Sequence, residues 1–83
     1  MPIFVAVIML DKEISERKQD AILNRLGVIP VDTHEITVEP DQVTVDFAAE
    51  DQDAEKDAEI ILEAVREIVP YAYSHGVHSY GRA

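Results

Sequence analysis

The chain has no cysteine and no tryptophan. Without cysteine there is neither a disulfide framework nor a thiolate zinc site, and a secreted chain of this size usually relies on one or the other. Glycine occurs only at positions 27, 76 and 81. No glycine-rich phosphate cradle, nucleophile elbow or His-Glu-rich metal helix can be read. Bases are scarce: 7 Lys and Arg stand against 17 Asp and Glu, a net charge of −10. Nucleic acids are held through clustered Lys and Arg, so direct nucleic-acid binding is excluded. The longest apolar run, Pro2–Leu10, is nine residues, where a membrane span needs about twenty. That run also lacks the basic start and small-residue cleavage site of a signal peptide. These absences predict a cytoplasmic protein with no membrane partner and no cofactor.

What is present is periodic. Of the 83 residues, 47% are hydrophobic, enough to predict a folded chain, a single domain over 1–83. A domain this short buries a small fraction of its surface, which favours oligomerisation. Ile3–Leu10 is an uninterrupted apolar run rich in β-branched residues and reads as a central strand buried on both faces. Asp11 offers an N-cap, and a helix is predicted from about Lys12 to Leu26. On it Ile14, Ala21, Ile22 and Leu26 share one face, bridged by the aliphatic stem of Lys18. Gly27 is the stop.

Thr33–Val38 and Val43–Ala48 alternate as strands around the turn Glu39-Pro40-Asp41-Gln42. The register predicted by that turn sets Val38 opposite Val43, Ile36 opposite Val45 and His34 opposite Phe47. The other side of the hairpin pairs Thr37 with Thr44 and Glu35 with Asp46. Ala54, Ala58, Ile61, Leu62, Val65, Ile68 and Val69 recur on one helical face, with Asp51 or Asp53 as cap and Pro70 as terminator. Tyr71–Tyr80 reads as a last strand carrying a bulge or close approach at Gly76. The order β-α-β-β-α-β predicts an α+β fold, the ferredoxin-like sandwich, with two helices on one face of a four-stranded antiparallel sheet.

Charge is unevenly placed. Residues 32–67 hold thirteen acids against Lys56 and Arg66, while residues 1–31 balance. Glu55, Glu59, Glu63 and Glu67 recur every four residues. Like charges at that spacing destabilise an isolated helix by about a few tenths of a kcal/mol per pair, so the row suggests a cationic neighbour. The directly opposed Glu35 and Asp46 raise the same question. His75 and His78 are weak metal candidates: three apart on a regular strand they face opposite ways, unless a bulge at Gly76 brings them together.

Pro2-Ile3-Phe4-Val5-Ala6-Val7-Ile8-Met9-Leu10, followed by Lys12, Ser15 and Lys18, resembles the start of the 4-oxalocrotonate tautomerase family. The resemblance covers about 25 residues. It implies a general base at Pro2 once Met1 is removed, with Lys12 where the family often has an arginine. The hairpin and long second helix depart from that family's second parallel strand.

Three functions compete. The leading one is a non-enzymatic interaction or assembly module, self-associating or within a larger complex. A sandwich has one open sheet face, and the first strand must place apolar side chains on it: Phe4, Ala6 and Ile8, or Ile3, Val5 and Val7. The interface assigned from sequence comprises Phe4, Ala6 and Ile8, the tyrosines Tyr73 and Tyr80, and the acidic row Glu55, Glu59 and Glu63. The second function is a small enzyme using Pro2 and Lys12, or Asp46, His78 and tyrosine hydroxyls. The third is an inhibitor whose acidic surface imitates nucleic acid.

Overall fold

The computed structural model describes residues 1–79. Strand β1 (Ile3–Met9) is followed by helix α1 (Glu16–Leu26), strands β2 (Asp32–Glu39) and β3 (Gln42–Ala48), helix α2 (Ala54–Arg66) and strand β4 (Tyr73–Ser79). The four strands form one antiparallel sheet in the order β2-β3-β1-β4. The architecture is α+β, and both element order and strand order fit the ferredoxin-like description.

β1 is central, bonded to β3 on one side and β4 on the other, which is why its sequence carries no charge. The core lies between the sheet and the helices. Ala6, Ile8, Val43, Val45 and Phe47 meet Ile22 and Leu26 of α1 and Ile61, Leu62, Ala64 and Val65 of α2. Phe4 and Phe47, directly paired, stack with centroids 5.9 Å apart. Both helices therefore cover the same face, and β3 alternates buried and half-buried side chains accordingly.

α1 starts later than the acid-then-helix pattern predicts. Ser15, not Asp11, is the N-cap, its hydroxyl accepting from the Lys18 amide at 3.3 Å. Residues before it are held by the hairpin turn instead: the Leu10 amide donates to Asp41 and the Ile14 amide to Pro40. Ile14 is buried from that segment rather than from the helix, and Ala21 and Lys18 are exposed. A single 3₁₀ turn, Asp51–Asp53, leads into α2, and neither Asp51 nor Asp53 caps through its side chain. At the other end, the Arg66 guanidinium donates to the Ala72 carbonyl at 2.8 Å and ties the helix to the turn before β4.

Two strands are irregular. β2 shifts register between Thr33 and Glu35, so Thr33 rather than His34 lies opposite Phe47. A half-buried threonine at that place leaves the imidazole exposed, 3.6 Å from Asp32. The remainder of the predicted hairpin register holds, with Glu35 opposite Asp46 and Ile36 opposite Val45. β4 shifts opposite Val7 and Ile8, where Gly76 has φ +130°.

Candidate functional site

Strand pairing fixes which side chains share the uncovered face of the sheet. Directly paired residues point the same way, and alternate residues point to opposite faces. Ala6 and Ile8 are 3% and 1% exposed against the helices, so Ile3, Val5, Val7 and Met9 take the other side. Of the residues assigned to an interface from sequence, Ala6 and Ile8 are buried on the core side, and Phe4, half-buried, packs against the same core. The alternative set is the open one.

Three rows of the open face run through all four strands, and Asp32, Ala48 and Ile3 line up in a further one. Glu35, Asp46, Val5 and His78 form the first; Thr37, Thr44, Val7 and Gly76 the second; Glu39, Gln42, Met9 and Tyr73 the third. β1 contributes a half-buried aliphatic stripe down the middle. Tyr73, 42% exposed, extends it onto β4, while β2 and β3 flank it with carboxylates, amide and hydroxyls. No element among the described residues lies over it. Tyr80 lies outside the described residues.

The acidic row occupies the outer side of α2. Each step of four residues advances the helix by slightly more than one turn, so the row winds around the axis. Glu55 and Glu59 border a shallow depression beside Ser74, Gly76 and Val77 of β4. Glu59, Glu63 and Glu67 border a groove on the α1 side, about 370 Å³ in volume. Its floor is Ile29, Pro30, Ile60 and Ala64, and Arg25 and Lys56 complete the rim. The cation sought by the row is met at one end. Arg25 grips Glu67 with both arms of its fork, Nε to Oε1 at 2.9 Å and Nη2 to Oε2 at 3.1 Å. These hydrogen bonds, and then the positive charge, hold the Glu67 carboxyl below the usual range. The Arg25 guanidinium is raised in turn. Among the described residues no ion pair engages Glu55, Glu59, Glu63 or Lys56.

The remaining candidates are not gathered into one place. Pro2 precedes β1 and Lys12 follows it, so seven extended residues, roughly 23 Å, separate them. Pro2 is exposed, its carbonyl accepting from the Ala49 amide at 3.2 Å. Lys12 sits 6.0 Å from the ring centroid of Tyr71. β1 pairs antiparallel with both neighbours, unlike the parallel arrangement that the tautomerase resemblance implies. His78 lies on the open face opposite Val5, while His75 is the extra residue of the β4 bulge. Among the described residues no group of three or more His, Cys, Asp or Glu could hold a metal ion. No described helix is long and apolar enough to cross a membrane.

Sequence reasoning missed the groove and the parity of β1. Ile60 was the available signal for the first: an isoleucine one position off the main apolar face of α2, and so on its flank. For the second there was none, because every residue of β1 is apolar. No family model matches the chain, and no curated protein matches it.

Proposed function

We propose that this chain is a non-enzymatic assembly module, a ferredoxin-like sandwich whose open sheet face is covered by a second copy of itself. The observation that carries this reading is the stripe of Ile3, Val5, Val7 and Met9, extended by Tyr73, on a face that no described element covers. Contiguous exposed apolar surface of this kind marks an interface. A two-fold pairing sets the same patch against itself and stacks stripe on stripe. Strands about 4.8 Å apart and residues about 3.4 Å apart give a face of roughly 19 by 24 Å. Two such faces, corrugated by their side chains, reach the lower edge of stable interfaces, about 1,200 Å² in total. The carboxylates of β2 and β3 form a polar flank, in keeping with a polar rim around an apolar centre.

The test is analytical ultracentrifugation of the wild type and of Val7→Glu. Val7 sits in the middle row, so the substitution places two carboxylates in a desolvated contact. A cost of about 2 kcal/mol or more, roughly 30-fold in dissociation constant, is expected. Far-UV circular dichroism should be unchanged, because the side chain faces away from the core. A wild type that stays monomeric at the highest attainable concentration overturns the reading.

A further inference from the structure

We propose that the groove between α2 and the connection from α1 to β2 is a second docking surface, one that receives a basic amphipathic helix from a different protein. The floor is apolar: Ile29 and Ala64 are 8% and 2% exposed, and Ile60 and Pro30 complete it. Its volume, about 370 Å³, suits a few aliphatic side chains presented at the i, i+3 and i+4 positions of an incoming helix.

The rim decides the sign of the occupant. Arg25 is already engaged by Glu67 at 2.9 and 3.1 Å. Glu59 and Glu63 stand one helical turn apart on the rim with no ion pair among the described residues. A partner helix with Lys or Arg at every fourth position matches that spacing, cation for carboxylate. Lys56, also on the rim, has no ion pair among the described residues, and it lies near the N-terminal end of α2. It favours the C-terminal, partly negative end of the partner helix beside it, which orients that helix antiparallel to α2.

A second copy fits this groove poorly. Each copy carries a charge of −10, and the bases on α1 apart from Arg25 are Arg17 and Lys18, adjacent to each other and flanked by Glu16 and Asp20. They do not form a row. The groove also lies on the helix side of the sheet, so its occupancy is independent of the open-face interface.

The test uses a fluorescein-labelled probe peptide, a Leu/Lys amphipathic helix with lysines every fourth residue, followed by anisotropy. A scrambled peptide of identical composition is the control. The expected result is saturable binding of the amphipathic peptide and much weaker binding of the scrambled one. The double variant Glu59→Lys, Glu63→Lys should weaken binding about tenfold or more and flatten its salt dependence. Ile60→Ser should weaken it with the charges intact. Both carboxylates are exposed, so the double variant keeps the fold. Equal binding of the two peptides overturns the proposal by assigning the attraction to net charge. Unchanged binding by the double variant overturns it by placing the contact elsewhere. Self-association that disappears in the double variant overturns it by giving the groove to a second copy.

Discussion

Gly76 is the residue on which β4 turns. Its φ of +130° lies where a side chain is strained, and an added Cβ would sit 3.4 Å from Nε2 of His78. The glycine lets one extra residue, His75, enter the strand, after which pairing resumes with Val77 opposite Ala6 and His78 opposite Val5. Gly76→Ala should therefore destabilise the fold by about 1 kcal/mol or more. In a domain of this size that lowers the melting temperature by roughly 4–8 °C, which a thermal melt will read. The position of this irregularity was legible, because a glycine amid tyrosine, histidine and valine signals a bulge. The bulge in β2 was not. His34 continues a perfect alternation with Ile36 and Val38, and nothing local says that Thr33 will be the residue opposite Phe47. The difference is physical: φ > 0 leaves a glycine in the sequence, whereas a bulge between ordinary residues leaves no mark.

At the scale of elements, α1 and α2 pack side by side, and the Arg25–Glu67 fork joins their C-terminal ends. The Arg25 and Glu67 side chains are 38% and 56% exposed, so the pair adds modestly to stability and is screened by salt. The sign follows from the shifts. Glu67 is more acidic in the folded chain than unfolded, so its contribution is present above the unfolded value and is lost as pH falls through the folded one. Arg25 is shifted upward by the same carboxylate, so the pair's upper pH limit lies in the arginine range and its lower limit is set by protonation of Glu67. Arg25→Ala should thus cause a small loss of stability at neutral pH. That loss should shrink both in high salt and at pH values well below the ordinary glutamate range, as read from urea midpoints. Its counterpart in the sequence was half visible. The every-fourth glutamate pattern asked for a cation, but Arg25 lies 42 residues away from Glu67, and only the packing of the helices brings it there. The start of α1 shows the same limit. Asp11 and Ser15 are both acceptable caps by residue type, and the hydrogen bonds from Leu10 and Ile14 to the β2–β3 turn decide between them.

At the scale of the whole molecule, the charge of −10 and the apolar stripe act in opposite directions. Two copies meeting at the open face repel through their summed charge while their stripes attract. Added salt should therefore strengthen self-association and weaken capture of a basic helix, since screening removes repulsion in the first and attraction in the second. Sedimentation and anisotropy across a salt series separate the two surfaces by the sign of the slope. The order of elements could be read from residue types alone. The period of the apolar positions switches between two and 3.6 along the chain, and Pro40, Pro70 and Gly27 mark the breaks. The identity of the open face could not. β1 is apolar at every position, and only its pairing with β3, whose Val43, Val45 and Phe47 alternate with Gln42, Thr44 and Asp46, turns Ala6 and Ile8 inward and Val5 and Val7 outward. Alternation is a local property and survives in the sequence. The direction in which a uniformly apolar strand faces is a relation between strands, and exists only once they are paired.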